Sequence, residues 1–363
     1  MGGLLPVEPF LRGENRSGRP LRRFEATSLF FLRRVADGSG WAAAYRGPVT
    51  GFGVSALHLY NRSETGSPAA IFRSFRAPLW AASRLRLGYG ADIGFAGGWR
   101  PYDALANPYN KLISTRLTAY VRLALGLRLR VAPRWTVHLD GGLTHVSNGN
   151  FRRPNAGLNA VALGIGVRYG PTDLPPPPRV VALPYPARNF LSISLFGAAE
   201  KRLYATERLS PERKYAGITH GVAGLNLAWE RRVSPKSQFG IGGSLLYHSG
   251  TRATAGVTDG ALDYRPAAFG IYQWRVGLFP SYELIFHRWS AVVRAEYYVL
   301  SGDGAREGGR FRQRLGLKYR LSDRVYLAAL VNARQFSVAD YVEWHVGYLI
   351  PGSPRRRGSR PRD

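Results

Sequence analysis

The feature that most constrains this chain is an alternation of apolar with polar or small residues at a period of two, repeated along most of its length. In residues 84–96, Leu85, Leu87, Tyr89, Ala91, Ile93 and Phe95 fall on one side of an extended chain, with Arg84, Arg86, Gly88, Gly90, Asp92 and Gly94 on the other. Val121, Leu123, Leu125, Leu127 and Leu129 likewise oppose Arg122, Arg128 and Arg130, and Phe311, Leu315, Leu317 and Tyr319 oppose Arg312, Arg314, Lys318 and Arg320. Successive side chains of a strand project to opposite faces, so the pattern predicts an all-β fold. Alternation alone does not separate a soluble sandwich, whose apolar face makes a core, from a membrane barrel, whose apolar face meets lipid.

Connection lengths favour the barrel. The alternating segments predict sixteen strands, near 25–34, 40–47, 51–60, 70–79, 84–96, 112–131, 134–147, 158–170, 188–200, 216–231, 236–250, 271–284, 289–300, 311–321, 324–336 and 341–350. Short turns such as "VAPR", "VSPK" and "LSDR" alternate with mostly longer polar loops, the layout of outer-membrane barrels. Many segments reach the roughly 9–11 residues that a tilted strand needs to cross a bilayer. Tyr169, Trp289 and Tyr348 sit at strand ends, where an interfacial girdle places aromatics. The expected fold is therefore an antiparallel transmembrane β-barrel of about 16 strands.

The proline-rich stretch 171–187 interrupts this layout and divides the strands eight and eight. It is either an elaborated turn in one sixteen-stranded barrel or a linker between two eight-stranded units. The chain divides into an N-terminal extension (1–24), a first strand region (25–170), the proline-rich segment (171–187), a second strand region (188–350) and a basic, disordered tail (351–363).

Composition narrows the chemistry. Cysteine is absent, which removes disulfides, thiol catalysis and zinc–thiolate sites. Lys and Arg number 51 against 23 Asp and Glu, a formal charge of +28 that favours anionic partners such as acidic lipids or phosphorylated glycolipids. The arginines are scattered through the strands and no nucleic-acid motif stands out, so nucleic acid is not an expected partner. No apolar run approaches the ~20 residues of a membrane helix. Residues 1–18 lack the charged start and apolar core of a secretory signal. His58, His138, His220, His248, His287 and His345 show no metal-ligand spacing and read as lumen or interfacial residues; no metal or cofactor is implied.

The stretch 140–159, "DGGLTHVSNGNFRRPNAGLN", carries the candidate chemistry. Phasing its first strand puts Val137, Leu139, Gly141, Leu143, His145 and Ser147 on the apolar, outward face, opposite Thr136, His138, Asp140, Gly142, Thr144 and Val146. In the returning strand Asn159, Val161, Leu163, Ile165, Val167 and Tyr169 share the outward face. Three polar residues thus converge on a lipid-facing wall, where polar groups are costly and point to function. His145 could take a proton from Ser147 as its hydroxyl attacks an acyl carbonyl, with a third group orienting the ring. Asn148 or Asn155 and loop amides could stabilise the oxyanion, and Arg152 and Arg153 could pair with substrate phosphates. H-x-S alone is common, however, and a polar strand end is equally the ordinary end of a hairpin.

Here the chain resembles the lipid A 3-O-deacylase (PagL-type) family of outer-membrane acyl hydrolases. The resemblance lies in "THVSNG", then "PNAGLN", with "NPYNKLIST" about thirty residues upstream, and covers roughly residues 25–170. Residues 188–350, with the ending "ADYVEWHVGY", resemble the added strands of longer relatives described as acyloxyacyl hydrolases. The resemblance implies an eight-stranded barrel with a lipid-facing Ser–His–Glu triad, Ser147 as nucleophile, His145 as base and an oxyanion contribution from Asn155. It also implies lipid A, as lipopolysaccharide in the outer leaflet of a bacterial outer membrane, as substrate. The family's glutamate aligns with Asn159, an amide that can fix the imidazole tautomer without offsetting its charge. The competing expectation is a non-catalytic barrel, an anion-preferring pore or structural protein with a relic site.

Overall fold

The computed structural model describes residues 2–5, 8–35, 40–82, 84–170, 185–204, 208–302, 309–335 and 338–352. Most of the proline-rich segment 171–187 and of the tail 351–363 lies outside these residues. The chain forms two closed, eight-stranded antiparallel barrels and one separate two-stranded hairpin. Of the two expected arrangements, the structure has two eight-stranded units, not one large barrel.

The first barrel comprises β1 (Gly2–Leu4), β2 (Arg23–Arg34), β3 (Val49–His58), β4 (Gly66–Ala81), β5 (Leu85–Trp99), β6 (Leu117–Ala132), β7 (Trp135–Ser147) and β8 (Leu158–Tyr169), with β1 closing the ring between β2 and β8. Two expectations are corrected. Residues 40–47 are not a strand: Gly40–Ala44 form a short helix, α2. The N-terminal segment 1–24 is not a mere extension, because Gly2–Leu4 pair with Ala160–Ala162 as the eighth strand and Pro9–Arg12 form helix α1. Pro9 stands at the start of α1, where its missing N–H costs nothing, and Glu8 accepts from the Phe10 N–H at 3.2 Å.

The outward face of this barrel is apolar, as the alternation predicts. Leu123, Leu125, Leu139, Val161, Leu163, Ile165 and Val167 are all exposed. At one end of the wall the Trp135 and Tyr169 rings stand 5.0 Å apart, and Arg134 donates to the Tyr169 hydroxyl at 3.3 Å. Such pairs of an amphipathic ring with a cation suit a headgroup boundary.

Its interior has two layers. Towards the ends of β7 and β8 that carry His145 and Asn159, Phe10, Leu11, Phe24, Phe72, Trp99, Leu112, Ile113, Tyr120, Val146 and Leu158 pack into a dry plug. Below it Arg76 grips Asp92 with two hydrogen bonds of 2.7 and 2.8 Å, and Arg122 bridges Asp92 and Asp140. Gly90 makes room for that grip: a Cβ there would lie 2.4 Å from the Arg76 Cδ.

The second barrel comprises β9 (Arg188–Arg202), β10 (Ile218–Arg232), β11 (Ser237–His248), β14 (Trp274–Phe286), β15 (Trp289–Ser301), β16 (Phe311–Arg320), β17 (Val325–Arg334) and β18 (Val338–Pro351). Between β11 and β14 the strands β12 (Thr254–Thr258) and β13 (Ala261–Arg265) form the separate hairpin, in the stretch between the expected strands 236–250 and 271–284. The interior of the barrel is filled by paired charges. Glu200, Glu230, Glu283, Glu296, Asp340 and Glu343 are buried among Arg275, Arg294, Arg312, Arg314 and Lys318. Arg314, fully buried, donates to Glu343 at 2.9 Å and is paired with Glu296 at 2.5 Å. Of the histidines, His220, His248 and His345 lie in this interior and His138 in that of the first barrel.

Candidate active site

The site is built on the hairpin of β7 and β8. His145 and Asn159 are directly opposed in the antiparallel register, and side chains of such a pair stand within contact distance on one face. The Nδ1 of His145 and the Oδ1 of Asn159 are 2.8 Å apart. A carboxamide oxygen only accepts, so Nδ1 carries a proton, which in the neutral ring leaves the lone pair on Nε2, the tautomer a general base requires. His145 is exposed on the outer wall, while Val146 beside it is fully buried in the plug.

Ser147 ends β7 on the same outward face as His145. Its Oγ accepts two hydrogen bonds, from the Gly149 N–H at 3.1 Å and the Asn155 Nδ2 at 2.8 Å. The Asn155 amide cannot turn freely, because its Oδ1 accepts from the Asn148 N–H at 3.2 Å and so holds Nδ2 towards Ser147. Gly157, at φ +72°, closes the turn against both residues; a Cβ there would meet Val146 O at 3.1 Å, His145 Cε1 at 3.4 Å and Ser147 Cβ at 3.5 Å. The φ places Gly157 in the left-handed region that glycine adopts at least cost.

The two candidate oxyanion asparagines part company here. Asn155 directs its amide at Ser147, whereas the Asn148 side chain is buried and donates to Ser114 Oγ at 3.0 Å and Arg152 O at 2.9 Å. Asn148 thus reaches Ser147 through its backbone and Asn155 rather than through its own amide. Arg152 and Arg153 lie in the same loop, Arg152 exposed and Arg153 half-buried. The Arg152 cation lies in electrostatic reach of Asp103. Backbone N–H groups of Ala106 and Leu105 hold the Asp103 carboxyl below the usual carboxylate range, with Arg152 adding to the effect.

The upstream motif "NPYNKLIST" acquires a role. Asn107 and Asn110 both donate to Glu64 O, at 2.9 and 3.0 Å, and Asn110 also donates to Arg100 O at 2.8 Å. These bonds tie residues 100–116 to the neighbouring helix α3 (Arg62–Thr65). On the other side, Ala156 N and Gly157 N donate to the carbonyls of Lys111 and Leu112 at 3.1 and 3.0 Å. Ser114, wholly buried, donates to Arg152 O at 2.8 Å and accepts from Asn148. The motif is therefore a bracket holding the loop that positions Ser147. Ser114, Gly149 and Gly157 were not singled out from sequence; only "NPYNKLIST" and the glycines flanking the loop hinted at them.

Comparison with known proteins follows this division of the chain. Residues 31–168 match the family model described as Lipid A 3-O-deacylase (PagL), and residues 189–352 match that described as Acyloxyacyl hydrolase, C-terminal domain. No curated protein matches the chain. Solved structures similar to it include the Ralstonia pickettii toluene transporter TbuX, at 11% identity over 84% of this chain and 80% of that one, with a TM-score of 0.19. Outer membrane phospholipase A from Escherichia coli matches at 12% identity over 90% of this chain and 96% of its own, with a TM-score of 0.16. The CymD monoaromatic hydrocarbon channel matches at 13% identity over 96% and 94%, with a TM-score of 0.21.

Proposed function

From the premise that the chain belongs to the family of lipid A 3-O-deacylases (PagL) and acyloxyacyl hydrolases, we propose that it is an outer-membrane serine esterase. It hydrolyses an ester-linked acyl chain of lipid A, by 3-O-deacylation or a related cleavage, with Ser147 as nucleophile, His145 as base and Asn159 as the group that orients the imidazole. The observation that carries this reading is a polar constellation, His145 with Asn159 and Ser147 with Asn155, standing on the otherwise apolar outer wall. A polar group facing lipid is costly unless it works there, and a substrate whose acyl chains lie in the bilayer meets that wall directly.

The chemistry follows from the tautomer. His145 Nε2 takes the Ser147 proton as Oγ attacks the acyl carbonyl carbon. The Gly149 N–H and Asn155 amide, which in the resting site donate to Oγ, are the donors nearest the charge that develops on the carbonyl oxygen. Collapse breaks the ester bond, and the imidazolium returns its proton to the leaving sugar hydroxyl. Water, deprotonated by His145, then releases the fatty acid and restores Ser147. Arg152 and Arg153, in the site loop, would pair with the phosphates of lipid A.

The filled interiors also favour an enzyme over a pore. The plug of Phe10, Leu11, Leu112 and Ile113 occupies the first barrel, and ion pairs occupy the second. A fluorophosphonate probe tests for an activated serine. The reading expects labelling of the purified chain that disappears in Ser147→Ala; equal labelling of both, or of neither, removes its basis.

A further inference from the structure

The outer wall of the first barrel carries a charge where the alternation calls for an apolar residue. β4 turns Ala69, Ile71, Arg73 and Phe75 outward, and Arg73 is exposed near the middle of that 16-residue strand. Phe52 on β3 and Ile93 on β5 stand directly opposite it. Phe52 and Ile71 are themselves exposed, so the arginine is set in an apolar surround on the lipid side. Among the described residues no carboxylate pairs with Arg73 and no side chain or carbonyl accepts from its guanidinium.

Its depth follows from its neighbours. Phe75, the next outward residue towards the short turn, meets the Tyr45 ring at 5.1 Å and the Tyr89 ring at 6.2 Å. Trp80, further along β4, is exposed. These aromatics mark the headgroup boundary at the turn end, as Trp135 and Tyr169 do on β7 and β8. Two residues of extended strand span about 6–7 Å, so Arg73 is rooted one step inside the hydrocarbon. A lipid-facing cation is costly at mid-depth and tolerated where its head reaches the interface. The stem can lie along the apolar wall and carry the guanidinium to that boundary. Thr50 lies on the way, diagonal to Arg73 across the β3–β4 pair and within reach of a long side chain. Arg33, also exposed, opposes Thr50 from β2.

A guanidinium offers a planar fork of donors that matches a phosphate. A protein carboxylate would also pair with it, but only after being carried into lipid, whereas phosphates already line this depth. We propose that Arg73, with the Thr50 hydroxyl beside it, binds the phosphate of a phospholipid headgroup at the short-turn end of the first barrel. The lipid neutralises a cation that otherwise faces hydrocarbon, and its acyl chains cover the wall around Phe52 and Ile71. Nothing in it depends on the esterase reading.

The test uses the full chain purified in dodecyl maltoside, a detergent without phosphate. Thermal unfolding is followed as phosphatidylglycerol, or diacylglycerol with the same acyl chains, is added. Native mass spectrometry of the same samples counts the lipid retained. Phosphatidylglycerol is expected to raise the unfolding temperature of wild type and to stay bound, and diacylglycerol to do neither. Arg73→Gln should lose both effects, while Arg62→Gln, in α3 towards the other end, should keep them. Arg73→Leu should lose them too, yet unfold no lower than wild type without lipid, because no protein contact is removed. That variant serves should Arg73→Gln fail to fold. Equal effects of the two lipids, or equal effects of phosphatidylglycerol on wild type and on the Arg73 variants, overturn the proposal. So does the absence of any lipid effect on wild type, the outcome expected if a protein partner occupies this face.

Discussion

The Nδ1 of His145 stands 2.8 Å from the Oδ1 of Asn159, across one antiparallel rung on the outer face of the first barrel. This contact sets the ring's orientation and its tautomer, but it lacks the charge that would stabilise the imidazolium of the proposed mechanism. A hydrogen bond to a charged partner contributes about 1.5–3 kcal/mol where a neutral one contributes about 1. Asn159→Glu is therefore expected to raise kcat by up to about tenfold, each tenfold being about 1.4 kcal/mol. Asn159→Ala is expected to lower it by about tenfold or more, as the ring loses its anchor. Steady-state hydrolysis of purified lipid A in mixed micelles gives both values.

Asn155 acts on Ser147 directly. Losing one oxyanion donor costs about 10²–10³ in kcat in enzymes of this chemistry, with little change in binding. Asn155→Ala should show that drop in kcat with KM nearly unchanged. An equal loss carried by KM would place Asn155 in substrate binding instead.

Gly157→Ala tests the turn. A residue with a Cβ in the left-handed region costs about 1–2 kcal/mol, and the added methyl would press on Val146 O at 3.1 Å and the His145 ring at 3.4 Å. The variant is expected to fold with a lowered unfolding temperature and to lose activity by more than its stability loss explains. Thermal unfolding and kcat measured on the same sample separate the two effects.

The second barrel offers a test of its ion-paired interior. Arg314 holds Glu343 and Glu296 where none of the three meets solvent. Removing one partner of a buried charge cluster costs about 3–5 kcal/mol. Arg314→Leu should unfold at markedly lower denaturant concentration than wild type, and Arg314→Leu combined with Glu296→Gln and Glu343→Gln should recover part of the loss. Urea titrations in detergent, followed by tryptophan fluorescence, report it.

Much of this was legible in the sequence where side-chain parity governs. Because strand residues alternate strictly, the outward placement of His145, Ser147 and Asn159 could be read before any coordinates. Parity misled at 40–47, where Trp41 and Tyr45 lie four apart. That spacing shares a face in a strand and in a helix alike, and the two rings meet at 6.2 Å in and beside α2. The closing strand Gly2–Leu4 is too short to display any period. The roles of Ser114, Asn107 and Asn110 rest on bonds to residues 38 or more positions away, or across a loop, and local pattern carries no trace of those.

The measurement that bears most directly on the central claim is mass spectrometry of lipid A from bacteria expressing the full chain or its Ser147→Ala variant. Wild type is expected to convert lipid A to a species lighter by one ester-linked acyl chain, and Ser147→Ala, present in the outer membrane at equal level, to leave it intact. Identical acylation in the two strains, whether both unchanged or both shortened, would contradict the account.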